Sequence, residues 1–269
     1  YNQSALNRQP ESYLITYNIA YCHYKEENYA EAMKWFGRYL KEHSVRFRKD
    51  AMERTADCYF VTRDYSAAAE LYEQVMNDYS DVNDIYPYYQ SALSYGLSGN
   101  SSKKISLLSN VLQADPSARF YPEALFELGR SYVVKEDDEN AFNCFRTIVE
   151  KVKDSTFVAR AYLEMGSLSR NQSQFNEALE YYKKVVEQMP LSGYFDDALA
   201  AVESVYQTKN EPEEYLKYIE SIGKGETKTE DEREDMIFNS AEQVYLTENH
   251  EKALTALTSY MEKYPEGKY

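Results

Sequence analysis

The chain has 269 residues and a formal net charge of −15, from 45 acidic and 30 basic side chains. Nucleic acids and anionic membrane surfaces both select cationic proteins, so this balance argues against both as partners. With nine glycines and seven prolines, the chain has few of the residues that form tight turns, which favours helices over a many-stranded sheet.

A similar segment recurs seven times along the chain, in four well-preserved and three degenerate copies. Successive copies are separated by 36, 36, 37, 37, 37 and 38 residues. The equivalent positions are Tyr29, Tyr65, Ser101, Asp138, Phe175, Pro212 and His250. A near-constant period of this length predicts an array of stacked structural units.

Each unit has the pattern of two amphipathic helices, in which a small residue marks the place where the helix axes approach closely. In the first helices the small residues are Ala20, Ala56, Ala92, Gly129, Gly166 and Ala241. In the second helices they are Ala32, Ala68, Ala141, Ala178 and Ala253. Large side chains would hold the paired helices apart at these positions, so we expect all of them to be buried.

The fourth and fifth units match a known repeat pattern most closely. The matching residues are Leu125, Leu128, Gly129, Tyr132, Ala141 and Phe145, then Tyr162, Met165, Gly166, Phe175, Ala178, Tyr182 and Pro190. These residues resemble the tetratricopeptide repeat family, and the resemblance covers essentially the whole chain. It implies an all-α fold, a right-handed α-solenoid of about seven tetratricopeptide-like helix-turn-helix repeats.

The period exceeds the 34 residues usual in that family, and the extra residues lie between units. There a proline, a small residue and an aromatic residue recur, in residues 116–121, 190–194 and 265–269. This linker is similar to that of bacterial cell-envelope tetratricopeptide proteins, of the Tol-Pal accessory and outer-membrane assembly lipoprotein type, and the tyrosine-rich composition resembles Bacteroidetes proteins. The resemblance implies a periplasmic or outer-membrane-associated protein, with a cytoplasmic location as the alternative.

The domain organisation follows from the repeats. Residues 1–10 match the tail of a truncated repeat, and residues 11–222 hold repeats one to six. The sixth is poor, with Glu203 and Tyr215 where small residues belong. Residues 223–235 are charged and predict a mobile loop, and residues 236–269 hold the seventh repeat and the start of a truncated next one. We therefore expect a fragment of a longer protein.

The sequence offers no catalytic constellation. The three histidines and three cysteines are not spaced as metal ligands, and we expect the cysteines to be small buried residues. The paired acids Asp137–Asp138 and Asp196–Asp197 fit a turn and a helix start. Phosphate-binding and nucleophile motifs are also missing from the sequence. We expect a protein that is not an enzyme and needs no cofactor or metal.

The family resemblance implies a partner-binding face formed by the first helices of the repeats. Its positions fall on Tyr17, Tyr21, Tyr24, Phe60, Tyr86, Tyr89, Phe126, Arg130, Arg160 and Arg170. The aromatic rings suit a peptide or a glycan, and the arginines suit an acidic or carboxy-terminal peptide. The alternative is that the tyrosines pack on neighbouring hairpins and that the arginines form surface ion pairs.

The leading hypothesis is an interaction scaffold that binds a protein or peptide partner. One alternative is a regulatory or targeting arm of a larger enzyme, and another is a glycan-binding module. A lipoprotein signal in the flanking sequence would support the scaffold, and a catalytic domain there would support the enzyme arm. The sequence names no partner.

Overall fold

A computed structural model describes residues 12–41, 46–247 and 250–269. These residues form fourteen α-helices and two short 3₁₀ segments, without a β-strand. The helices are α1 Ser12–Lys25, α2 Tyr29–Lys41, α3 Arg48–Val61, α4 Tyr65–Asp78, α5 Ile85–Leu97, α6 Ser101–Leu108, α7 Tyr121–Val134, α8 Asp138–Lys151, α9 Ser155–Asn171, α10 Phe175–Gln188, α11 Phe195–Thr208, α12 Pro212–Ser221, α13 Glu230–Leu246 and α14 His250–Lys263. The 3₁₀ segments are Ser109–Gln113 and Gly225–Thr227.

The helices follow one another as seven hairpins, and the repeat period is confirmed. Every second helix begins at the residue that marks its repeat in the sequence, from Tyr29 for α2 to His250 for α14. The fold class, helical hairpins of the tetratricopeptide type, is therefore as the sequence predicts. The predicted tail at residues 1–10 lies outside the described residues.

A left-handed residue closes each of the first six hairpins, two positions before the second helix. These residues are Glu27, Arg63, Gly99, Glu136, Ser173 and Asn210. The next N–H then donates back to the first helix, as from Asn28 to the His23 carbonyl at 2.9 Å. This Schellman geometry satisfies the last carbonyls of the first helix and turns the chain within a few residues.

The chain divides into two compact units, residues 1–144 and 145–269, and the division falls within α8. In the first unit one core cluster is built on Ala20, Ala32 and Phe36. In the second unit a continuous cluster runs from Ala159 to Tyr260. None of the described helices is both long and apolar enough to cross a membrane.

The predicted close approaches are confirmed, because all eleven small residues named above are buried. At the approach of α9 and α10, a Cβ added to Gly166 would lie 2.4 Å from the ring of Tyr182. The cysteines divide differently from the prediction. Cys58 and Cys144 are buried, whereas Cys22 is exposed on α1.

The long linkers carry aromatic rings that stack on the first helix of the preceding hairpin. Phe47 stacks on Tyr17 with ring centres 4.9 Å apart, and Phe120 stacks on Tyr89 at 6.2 Å. In the second unit Tyr269 stacks on α13 in the same way, with ring centres 3.9 Å apart. The extra residues of the long repeat therefore add packing between successive hairpins.

The predicted loop over residues 223–235 is wrong for residues 230–235, which form the start of α13. Thr229 and Glu232 make a capping box, in which each side chain binds the other residue's backbone N–H. Acidic residues in the first turn also suit the positive end of the helix dipole. Charge alone suggested a loop, but these charges favour a helix N-terminus.

Candidate partner-binding face of the first three hairpins

A buried carboxylate joins the first three hairpins. Asp57 of α3 is 6% exposed and accepts hydrogen bonds from the hydroxyls of Tyr24, Tyr72 and Tyr86. The guanidinium of Arg54, one turn earlier on α3, also binds it. Helices α1, α4 and α5 are thereby tied to α3, since each supplies one of the three tyrosines.

A second carboxylate extends this network along the same face. Asp50 accepts the Tyr17 hydroxyl at 2.6 Å and lies 3.4 Å from the Arg54 side chain. Arg54 also lies 3.4 Å from Glu53. The network is therefore acidic, because Arg54 contributes one positive charge beside the carboxyl groups of Asp50, Glu53 and Asp57.

The buried network shifts the protonation of its members. Burial and Asp57 raise the pKa of Tyr24 to about 12, and burial with Asp57 also raises the pKa of Tyr72 and Tyr86. Burial alone would lower the pKa of Arg54, but Asp57 and the other neighbours raise it above its usual range. All three tyrosines are therefore neutral donors and Arg54 is charged at neutral pH.

Glu53, which also lies beside Arg54, has a raised pKa. Burial and the charge of Asp84 raise its pKa to about 7, against the opposing effect of Lys49. Lys49 itself pairs with Asp84. A carboxyl group with this pKa changes its charge near neutral pH, so the charge of the face depends on pH.

Six predicted site residues come together here, and we call them the tyrosine face. They are Tyr17, Tyr21, Tyr24, Phe60, Tyr86 and Tyr89, on helices α1, α3 and α5. All six are half-buried. The hydroxyls of Tyr17, Tyr24 and Tyr86 donate hydrogen bonds to Asp50 or Asp57. These three tyrosines therefore have a structural role whether or not they bind a partner. Tyr21 differs, because its hydroxyl has no hydrogen bond within the described part of the chain while its ring stacks on Tyr17 at 6.0 Å.

The other predicted residues do not belong to the tyrosine face. Phe126 on α7 is only 4% exposed, so its side chain is part of the core, and its prediction as an accessible contact is wrong. Arg130 is exposed at the surface of the first unit. In the second unit Arg160 lies over the Phe157 ring at 5.5 Å, and Arg170 donates to Ser204 at 3.4 Å. That Arg130, Arg160 and Arg170 bind an acidic or carboxy-terminal peptide stays a prediction.

The residues that organise the face are Asp50, Arg54 and Asp57. Glu53 and Asp57 stand 36 residues after Tyr17 and Tyr21, one repeat period, so the repeat register places these acids among the tyrosines. Arg54 could not be predicted as part of the face, because its position in the repeat is not one of those that the family resemblance assigns to the partner-binding face. Within the described residues, no group of three His, Cys, Asp or Glu side chains is placed to hold a metal ion.

Comparison with known proteins supports the repeat assignment. Family models of the tetratricopeptide repeat match residues 1–47, 50–81 and 159–188. The chain is 22% identical over 220 residues to TPR repeat-containing protein YpiA of Bacillus subtilis (strain 168), covering 82% of this chain and 48% of that protein. It is 26% identical over 202 residues to Intraflagellar transport protein 70A of Danio rerio, covering 74% of this chain and 28% of that protein. The chain thus spans about half or less of these relatives.

Solved structures show the same hairpin architecture. A tetratricopeptide repeat protein from Parabacteroides merdae ATCC 43184 has a TM-score of 0.59 at 14% identity and covers 94% of this chain and 93% of its own. MamA has a TM-score of 0.55 at 17% identity, with 66% and 92% covered. PilW, a type IV pilus biogenesis factor, has 0.52 at 15% identity, with 82% and 97% covered. At these identities the likeness establishes the fold, that of tetratricopeptide repeat proteins.

Proposed function

We propose that this protein is a non-enzymatic scaffold that binds a segment of a partner protein on the tyrosine face. The observation that carries the proposal is the set of half-buried rings held in place by Asp50 and Asp57. Rings fixed in this way lose little conformational freedom when a partner stacks on them, so binding costs little entropy. Repeat scaffolds commonly bind partners on such extended surfaces.

The charges of the face indicate the chemistry of the partner. Four carboxylates (Asp50, Glu53, Asp57 and Asp84) lie among the rings, and Lys49 and Arg54 are paired with two of them. A third cation, Lys25, lies over the rings of Tyr21 and Tyr24, 5.3 and 5.9 Å from their centres. An acidic peptide would still meet the carboxylates of this network. The face instead suits a segment with apolar or aromatic side chains and neutral or basic flanks, which differs from the acidic peptide that the arginines suggested in the sequence.

Tyr21 gives the cleanest test, because its replacement leaves the hydrogen bonds of Asp50 and Asp57 intact. We expect Tyr21→Ala to reduce capture of native partners by the full-length protein at least tenfold, with unchanged helicity. The matched control is Tyr79→Ala, which removes a half-buried tyrosine next to α4. Equal recovery of partners by the wild type and Tyr21→Ala would refute this location. Photocrosslinking from position 21 would identify the bound segment.

Two alternatives are separated by further measurements. Sugars also stack on aromatic rings, so a glycan array that gives Tyr21-dependent binding would replace the protein partner with a glycan. A catalytic domain in the full-length gene product would make the repeats a targeting arm.

We also propose an envelope location, by the linker resemblance. Fractionation of the native host would test it, and recovery of the full-length protein from the cytosol would oppose it.

A further inference from the structure

Hairpins six and seven enclose a groove that neither the repeat pattern nor the proposed scaffold face explains. The groove has a volume of about 690 Å³, within the range of about 300–1,000 Å³ that is typical of ligand pockets. Its walls come from the start of α12, the middle of α13 and the outer side of α14. An adjoining hollow of about 290 Å³ shares Asn210, Pro212 and Ser240 with it.

Hairpin six, which forms one wall of the groove, departs from the repeat. Tyr215 occupies a position that holds alanine in five other hairpins, and Glu203 replaces the small residue of the first helix. These two residues contact each other, because the Tyr215 hydroxyl donates a hydrogen bond to Glu203 at 2.9 Å. Lys228 from the linker also binds Glu203, at 2.8 Å. The departure is therefore built into the fold by specific contacts.

The two hairpins are closed at one end and open at the other. At the linker end, Arg233 donates to Glu220 at 2.6 Å and to the Gly225 carbonyl at 2.7 Å. At the turn end, the space between the hairpins is the groove itself.

Small residues form the floor of the groove. The seventh residue of each second helix is large in most hairpins but is Ala256 in α14; the others are Trp35, Leu71, Leu107, Cys144, Tyr181 and Tyr218. Ala241, Ser240 and Ser259 add further small side chains beside it. The space that a large side chain fills in the other repeats is therefore open to a side chain from another molecule.

The rim of the groove is acidic. Four glutamates line it, Glu211, Glu213, Glu214 and Glu251, against Lys252. Glu211 pairs with Lys209 and Glu214 pairs with Lys217. Glu213 and Glu251 have no ion pair among the described residues, and they belong to opposite walls, on α12 and α14. This arrangement suits one cation held between two carboxylates above an apolar floor.

We propose that this groove is a second docking site, which takes a partner-protein segment that inserts a large apolar side chain next to a lysine or arginine. The apolar side chain occupies the space over Ala256, and the cation lies between Glu213 and Glu251. The site shares no residue with the tyrosine face, so it gives the scaffold a second point of attachment.

The test is an unbiased selection of twelve-residue peptides from a phage library on the intact chain, followed by fluorescence anisotropy with the synthesised peptides. Ala256→Trp fills the groove, and Thr258→Trp places the same side chain on an exposed position of α14 outside it. We expect selected peptides that combine a basic residue with a large apolar one. Their Kd should rise at least tenfold in Ala256→Trp and should not change in Thr258→Trp or Tyr21→Ala.

Charge reversal tests the contact with the peptide's cation separately from the contact with its apolar side chain. The double variant Glu213→Lys with Glu251→Lys should weaken the same peptides at least tenfold, whereas Glu262→Lys, an exposed change on α14, should not. Failure to select any peptide, or selected peptides that ignore Ala256→Trp or lack basic residues, would overturn the proposal. So would an Ala256-dependent dimer in light scattering, because the occupant would then be a second copy of the chain.

Discussion

The close approach of α9 and α10 gives a sharp test of the packing scheme through Gly166→Ala. A methyl group at this position would lie 2.4, 2.7 and 2.8 Å from three atoms of the Tyr182 ring. Carbon atoms pack best at about 3.5–4.0 Å, so the ring or the helix has to move by about 1 Å. Tyr182 is only 2% exposed, so the ring has little space into which it can move.

Two opposing effects set the magnitude. Replacing a glycine inside a helix by alanine stabilises the helix by up to about 1 kcal/mol, whereas overpacking a core costs about 1–3 kcal/mol. Because the ring is rigid and buried, we expect the upper part of that range and a net loss of about 1–2 kcal/mol. The matched control is Gly37→Ala on α2, where a Cβ meets nothing within 4 Å. We expect this variant to be unchanged or more stable.

Hydrogen exchange followed by mass spectrometry is the appropriate assay, because it reports on α9 and α10 separately from the rest of the chain. Exchange of their amides should accelerate in Gly166→Ala and not in Gly37→Ala. Adding Tyr182→Leu to Gly166→Ala should remove the clash and change the stability non-additively. Equal protection in both glycine variants would refute the reasoning, since the axes of α9 and α10 would then lie further apart.

Three further predictions concern polar contacts. Asp57→Asn should destabilise the first unit by about 3–5 kcal/mol in urea unfolding, because it breaks a buried ion pair; an unchanged midpoint would mean that the pair is not buried in solution. In the folded protein the pKa of Glu53 is raised to about 7. The stability that its neutral carboxyl group contributes is therefore fully present below the usual pKa of 4.5 and is lost as the pH rises through 7. That loss is at most about 3 kcal/mol at about 1.36 kcal/mol per pH unit, and Glu53→Gln should abolish it, as thermal unfolding at pH 4.5 and pH 8 would show. A double-mutant cycle of Glu203→Ala and Tyr215→Phe should give a coupling energy of about 0.5–3 kcal/mol, and strict additivity would contradict the contact between them.

The hairpins were predictable from the sequence because they depend on local rules repeated at a fixed interval. Starting residues such as Tyr29 and Tyr65, and small residues such as Ala20 and Gly166, follow from helix geometry and from the contact between paired helices. The prediction was wrong over residues 230–235, because the charged residues there were interpreted as a loop. Thr229 and Glu232 instead form a capping box that begins a helix. The sequence also placed the tyrosines of α1 and α5 on one face.

What those tyrosines do was decided only by the tertiary structure. Whether the hydroxyls of Tyr21 and Tyr24 are hydrogen-bonded depends on which carboxylates of the next hairpin lie near them. Asp57 accepts a hydrogen bond from Tyr24 but not from Tyr21. The groove likewise depends on residues far apart in the sequence, because Glu213, Ile237 and Ala256 line it from three different helices. A repeat pattern determines which side of a helix is buried, since each helix follows the same period. It does not determine side-chain contacts between hairpins, because these depend on residues that vary independently from one repeat to the next.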